Sequence, residues 1–133
     1  MRYLLDTNIV SSLVRDPHGP VSQHIRAKGE AQICTSIIVA AKLRYGTGKK
    51  RSPRLTAQVE SVLNALDTLP LERPADEVYG RIRNQLETDG TPIGGNDLLI
   101  AAQALSLGYT LVTDNEREFN RIDELPVENW LRT

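Results

Sequence analysis

Three aspartates stand at positions where they could form one acidic site. Asp6 and Asp114 each end a short apolar run of the kind that forms a buried strand, and Asp97 opens the most apolar stretch of the chain. In open parallel sheets the functional crevice lies beyond the carboxyl ends of the strands. We therefore expect Asp6 and Asp114 to face the same crevice, with Asp97 beside them.

Such carboxylates would serve hard-cation chemistry. Acids brought close together repel one another and raise one another's pKa unless a cation lies between them. Mg²⁺, or Mn²⁺, suits an all-oxygen site and could activate water against a phosphodiester. With two histidines and one cysteine, the chain has too few ligands for a tetrahedral zinc site.

Each aspartate also has a simpler interpretation. Asp6 and Asp97 could cap or charge a helix N-terminus, and the segment from Thr113 to Glu116 matches a capping box. Capping does not predict two strand-terminal aspartates together with a third at the start of the most apolar helix. The joint pattern favours a site, with Thr7, Asn8, Asn115 and Glu118 as supporting residues that turn and capping roles would explain equally well.

Strand-like and helix-like segments alternate along the chain. Apolar runs predict strands at 2–5, 31–35, 68–71 and 110–113, and allow a last one at 127–130. Helical spacing predicts helices at 9–14, 21–28, 37–46, 55–66, 74–88, 96–107 and 115–119. The pattern indicates an α/β fold with a mainly parallel central sheet, and the length of 133 residues favours one domain over 1–133.

Composition narrows the class of protein. Forty per cent hydrophobic and 25 per cent charged residues are typical of a globular domain, and no apolar run approaches the ~20 residues that span a bilayer. The single cysteine, Cys34, has no partner for an intrachain disulfide, which favours a cytoplasmic protein with a buried thiol. Trp130 is interpreted as core or dimer packing.

The net charge of −1 hides a basic stretch. Its cations fall in a segment without acids, which we predict to be a loop around Gly46, Gly48 and Pro53. RNA phosphates are one plausible partner for Lys49, Lys50, Arg51 and Arg54. A merely solvated face is the alternative.

Five motifs, in order and spread over nearly the whole chain, resemble those of the bacterial VapC toxins. They are Tyr3-Leu4-Leu5-Asp6-Thr7-Asn8, Leu43-Arg44-Tyr45-Gly46, Pro92-Ile93-Gly94, Asn96-Asp97-Leu98-Leu99-Ile100-Ala101-Ala102 and Leu111-Val112-Thr113-Asp114-Asn115. The resemblance implies a PIN-like three-layer α/β/α sandwich and a Mg²⁺-dependent endoribonuclease that acts on structured RNA such as tRNA. It also implies a homodimer neutralised by a VapB-like antitoxin, with Asp6, Asp97 and Asp114 as metal ligands.

Lys42 departs from that resemblance, because the family has a glutamate there. Ile38, Ala41, Lys42 and Tyr45 follow i, i+3, i+4 and i+7, so a helix would place Lys42 on an apolar stripe, where it either snorkels or faces a polar cleft. Beside the aspartates it should pair with them and weaken metal binding. Two functions stay open: an active or weakened ribonuclease, and a catalytically dead module that binds antitoxin or RNA.

A phosphatase or receiver domain is less favoured. A haloacid-dehalogenase phosphatase requires a second aspartate two positions after the first, where this chain has Asn8. The glycines fit neither the dinucleotide-binding nor the P-loop spacing.

Overall fold

A computed structural model describes residues 2–132 and places five strands in one parallel sheet. The strands are β1 Tyr3–Leu5, β2 Ile33–Ser36, β3 Asp67–Leu69, β4 Thr110–Val112 and β5 Val127–Glu128. Their order across the sheet is β3-β2-β1-β4-β5. The chain thus winds outward in one direction from β1 and later in the other, which makes the β1/β4 boundary the switch point where ligands bind in such sheets.

Within the same residues, seven α-helices flank the sheet and complete the expected three-layer α/β/α sandwich. They are α1 Thr7–Arg15, α2 Pro20–Lys28, α3 Ile37–Lys50, α4 Pro53–Ala65, α5 Ala75–Thr88, α6 Gly95–Leu107 and α7 Glu116–Phe119. A single 3₁₀ turn, Glu30–Gln32, precedes β2. None of these helices is both long and apolar enough to cross a membrane.

The central strands and α6 form the core. Leu4 and Leu5 are fully buried although they point to opposite faces of β1, as expected when helices cover both faces of a parallel sheet. In α6 Ile100, Ala101 and Ala102 are fully buried, which confirms the prediction of a central helix. Cys34 and Trp130 are buried as predicted.

The basic loop predicted around Gly46 and Gly48 is wrong, because α3 continues through both glycines to Lys50. Each glycine costs a helix roughly 1 kcal/mol, and tertiary packing of buried Leu43 and Thr47 outweighs that cost. The helix ends at Arg51, whose φ of 52° is left-handed. α4 follows directly, two residues earlier than predicted.

The predicted starts and ends of other elements hold to within a few residues. The Ser36 hydroxyl caps α3 by accepting from the Ile38 amide, as predicted. Gly108, with a φ of 72°, ends α6. The last strand stops at Glu128, short of the predicted 127–130, and β3 runs at 67–69, where 68–71 was predicted.

Candidate functional site

Asp6 occupies the switch point of the sheet. It follows β1 directly, its amide donates to the Val112 carbonyl of β4 at 2.9 Å, and it begins α1 as the N-cap. Its Oδ1 accepts from the Thr7 amide and its Oδ2 from the Thr113 hydroxyl, both at 2.8 Å. The capping role predicted for Asp6 is therefore present, and the same carboxyl stands at the switch point of the sheet.

The environment of Asp6 raises the pKa of its carboxyl. The residue is 4% exposed, and this burial raises the pKa of its carboxyl above the ordinary range. The hydrogen bonds from Thr113 and Thr7 oppose the rise in pKa, the Asp97 carboxylate adds to it, and the Lys42 ammonium opposes it. The charges at Asp97 and Lys42 thus act on Asp6.

Thr113 is a site residue that sequence reasoning took only for part of a capping box. Its fully buried hydroxyl donates to Asp6 and accepts from the Asn115 amide at 3.0 Å. Because α7 begins at Glu116 with Asn115 as its N-cap, the capping box predicted for this segment is not formed. Thr113 instead fixes one carboxylate oxygen of Asp6.

Lys42 and Asp97 form an ion pair across the cleft. The Nζ of Lys42 on α3 donates to Oδ1 of Asp97 in the first turn of α6 at 3.0 Å. The side chains are 29% and 27% exposed, so water screens the pair only in part. The predicted contact between Lys42 and at least one of the aspartates is present.

The apolar stripe predicted to contain Lys42 is not the buried face of α3. The buried face of α3 consists of Val39, Ala40, Leu43 and Thr47, whereas Tyr45, on the predicted apolar stripe, is 71% exposed. Lys42 lies at the edge of the buried face. It therefore faces the polar cleft and does not lie on an apolar stripe.

The cleft has a volume of about 370 Å³ and is lined chiefly by polar side chains. They are Asp6, Thr7, Asn8, Ser11, Arg15, Lys42, Asp97 and Asn115. Ser11 and Arg15 were missed from the sequence, although Thr7, Ser11 and Arg15 have the i, i+4, i+8 spacing of one helical face. The Thr7 hydroxyl is buried and has no hydrogen-bond partner among the described residues.

Asp114 lies beside the cleft and is not one of its lining residues. Its amide donates to Asn8 Oδ1 at 3.1 Å, but its Oδ1 accepts from Asn129 Nδ2 at 3.0 Å, and the residue is exposed. The structure therefore brings Asp6 and Asp97 together in the lining of the cleft, whereas Asp114 is connected to it through Asn8. Asn129, in the C-terminal segment, gave no sequence signal for this role.

As arranged, the site does not fit a divalent cation. Within residues 2–132 no group of three Asp, Glu, His or Cys side chains lies close enough to hold a metal ion. The Lys42 ammonium takes one oxygen of Asp97, and the buried carboxyl of Asp6 has both oxygens hydrogen-bonded. Glu118 does not add an acid, because its carboxylate accepts from Asn115 Nδ2 at 2.9 Å.

The basic residues lie at the junction of α3 and α4. Lys49 and Lys50 are in the last turn of α3, Arg51 ends it, and Arg54 is in the first turn of α4. All four are exposed, and none forms an ion pair in the described part of the chain. Lys49 lies 5.9 Å from the centre of the Tyr45 ring.

Comparison with known proteins assigns this architecture. The sequence profile of the PIN domain matches residues 3–125. The chain belongs to the PIN-domain family. Ribonuclease VapC2 of Rickettsia felis is 38% identical over 133 residues, covering 98% of both chains. The tRNA(fMet)-specific endonuclease VapC of Salmonella typhimurium is 34% identical over 134 residues, again at 98% of both.

A solved structure agrees. The DNA-bound VapBC complex of Salmonella typhimurium contains a chain that superposes on this PIN domain with a TM-score of 0.91 at 33% identity, covering 98% of each chain. The expected membership of the VapC-type toxins is confirmed, and with it a nuclease by family resemblance.

Proposed function

We propose that this chain is a VapC-type toxin that hydrolyses phosphodiester bonds of a structured RNA, most specifically a tRNA, with an activity that Lys42 weakens. The name tRNA(fMet)-specific endonuclease, borne by relatives, supports the substrate class. The observation that supports the proposal best is the cleft at the β1/β4 switch point, where Asp6 and Asp97 face Lys42. A scissile phosphate would lie there.

The weakening has an electrostatic cause. PIN-domain nucleases depend in general on a divalent metal, and we propose Mg²⁺, with Mn²⁺ as a substitute, held by Asp6, Asp97 and Asp114 when position 42 is glutamate. Lysine in place of glutamate shifts the site by two charge units. Because two unit charges 4 Å apart interact by about 4 kcal/mol near a protein surface, the ammonium strongly disfavours a cation beside Asp97.

The polar side chains of the cleft have separate roles. Asp6, held by Thr113, supplies a fixed acceptor for a proton of the attacking water. The amides of Asn8 and Asn115 orient that water or a phosphate oxygen. Outside the cleft, Lys49, Lys50, Arg51 and Arg54 contact the RNA backbone.

The partners follow from the same resemblance. VapBC toxin–antitoxin complexes among the structural neighbours support a VapB-like antitoxin. We further propose a homodimer that works in the cytoplasm, each chain folding as one PIN domain over residues 1–133.

The decisive experiment compares the parent chain with Lys42→Glu. We expect the variant to gain Mg²⁺ affinity, measured by calorimetry, and to cleave tRNA at least about 100-fold faster, since a favourable charge replaces an unfavourable one. Arg26→Glu, on an exposed arginine of α2 away from the cleft, makes the same charge change and should leave both unaltered. Equal cleavage by the parent and by Lys42→Glu would refute the role of Lys42.

A second function is favoured by the Lys42–Asp97 pair itself. If Lys42→Glu binds Mg²⁺ but leaves RNA intact, while the parent binds RNA tightly, the chain is a PIN-fold binding module. If neither form binds or cleaves RNA, the proposed substrate class is wrong.

A further inference from the structure

A second cavity opens from the cleft between α1, α3 and α4. It has a volume of about 270 Å³ and shares Thr7, Ser11, Arg15 and Lys42 with the cleft, so the two cavities adjoin along these residues. We name this second cavity the side groove. Its remaining lining includes Val14, Leu43, Leu55 and Val59, which form an apolar floor, and Lys50, which does not line the cleft.

The side groove is positively charged. No Asp or Glu is among its lining residues. Arg15 and Lys50 form no ion pair and no side-chain hydrogen bond within residues 2–132, unlike Arg44 on the same helix, which pairs with Glu60 at 2.9 Å. An anion could therefore take both cations without displacing an acid.

The walls of the side groove are helical, which restricts what can bind. Backbone amides and carbonyls within a helix already bond to one another, so an extended peptide in this groove would find few partners for its own backbone. A nucleotide needs fewer hydrogen-bond partners from the groove, because its charge lies on the phosphate and its base offers an apolar face. Because the side groove adjoins the cleft, the next phosphate of the same strand would lie beside Asp6 and Asp97.

We infer that the side groove binds the RNA nucleotide adjacent to the scissile phosphate, with its base on the apolar floor and its phosphate on Arg15 and Lys50. The inference rests on the proposed function and deepens it. Arg15, which the sequence did not single out, becomes a substrate-binding residue with a fork of donors suited to phosphate. Within the basic stretch, Lys50 differs from its neighbour Lys49: Lys50 lines the side groove, whereas Lys49 lies over the Tyr45 ring.

Gly46 permits a test that keeps the charge constant. It lines the side groove, and a Cβ built on it meets no atom within 4 Å, so a side chain there would enter open space. Gly48 has the same freedom on the same helix and does not line the groove. Gly46→Met should fill the groove, with Gly48→Met as its matched control.

The experiment measures binding of a fluorescently labelled tRNA by anisotropy, in EDTA so that no cleavage occurs. Arg15→Ala and Lys50→Ala should each weaken binding several-fold and lower the slope of log K against log salt by about 1. Lys50→Ala should act more strongly than Lys49→Ala, and Arg26→Ala should have no effect. Gly46→Met should weaken binding about tenfold with the salt slope unchanged, because it excludes the base and not the phosphates.

The outcomes separate the inference from the proposed function. If the parent binds no RNA, the proposed function fails and the inference fails with it. If the parent binds RNA but Arg15→Ala matches Arg26→Ala, or Gly46→Met matches Gly48→Met, the inference alone is overturned. A synthetic acidic peptide that binds the parent and not Gly46→Met, with RNA binding equal in both, would assign the groove to a protein partner and overturn it too.

Discussion

The two ends of the parallel sheet each carry a cation paired with a carboxylate. At the amino ends of the strands, the Arg2 guanidinium bonds Asp67 at 2.9 Å and the Ile33 carbonyl at 3.2 Å, and it lies 5.6 Å from the Tyr109 ring centre. At the carboxyl ends, Lys42 makes one 3.0 Å contact with Asp97. The two cations are almost equally exposed, at 25% and 29%.

What differs is the surroundings of each pair. Arg2 connects residues that begin β2 and β3, so its contacts hold strand ends together. Lys42 connects two helices across an open cleft that also contains buried Asp6, whose pKa is raised by burial. In parallel α/β folds the carboxyl edge carries function and the amino edge stability, and these two similar pairs divide in that way.

The largest effect on stability should come from the carboxyl edge, at Thr113. Thr113→Val removes the hydroxyl that donates to the buried Asp6 carboxylate and should cost roughly 2 to 3 kcal/mol of unfolding free energy in urea. Thr113→Ser keeps the hydroxyl and loses one methyl group, so it should cost about 1 kcal/mol. Equal stability of the two variants would mean that the hydrogen bond between Thr113 and Asp6 contributes nothing to stability.

A substitution at the amino edge should cause a smaller loss of unfolding free energy and should not affect the cleft. Arg2→Met removes the contacts to Asp67 and to the Ile33 carbonyl and should lower the unfolding free energy by roughly 1 to 2 kcal/mol. RNA binding should stay unchanged. Arg26→Met, at an exposed arginine that forms no ion pair within residues 2–132, controls for loss of a surface charge. A change in RNA affinity on Arg2→Met would contradict the assignment of function to the carboxyl edge and of stability to the amino edge.

The features of this comparison that depend on local sequence pattern could be predicted. Short stretches of sequence predict the alternation of strands and helices, the apolar helix α6 and the position of Asp6 at the end of a strand. The hydrogen bond of the Asp114 carboxylate could not be predicted in this way, because its donor, Asn129, comes from the C-terminal segment. The side groove likewise requires α1, α3 and α4 to pack together, and α3 itself was predicted too short at Gly46.

Which aspartate pairs with Lys42 could not be predicted from the sequence for a similar reason. From sequence it could have approached any of the three aspartates, since all follow or begin apolar segments that meet at one edge. The structure pairs it with Asp97, and only the packing of α3 beside α6 decides this. A helical spacing fixes which side of a helix a residue is on, but not what lies opposite.

The smallest predicted effect concerns Cys34, in the strand next to Arg2, and it appears only in alkali. Burial raises the pKa of its thiol from 9.0 to about 11, Arg2 opposes the rise, Asp67 adds to it, and the thiol donates to the Tyr3 carbonyl at 3.4 Å. Because the folded pKa is the higher one, the unfolded chain loses its proton first. The thiol's contribution to stability is complete below pH 9 and is lost as the pH rises towards 11.

At pH 10 this loss should amount to about 1 kcal/mol relative to neutral pH. Urea unfolding of the parent and of Cys34→Ala, at neutral pH and at pH 10, isolates it, since every other titrating group is common to both chains. Cys34→Ala should be the less stable variant at neutral pH, because a buried side chain is truncated, and the gap should narrow by about 1 kcal/mol at pH 10. A constant gap would mean that Cys34 titrates alike in both states, and the amino edge would then be open to water in a way that its burial contradicts.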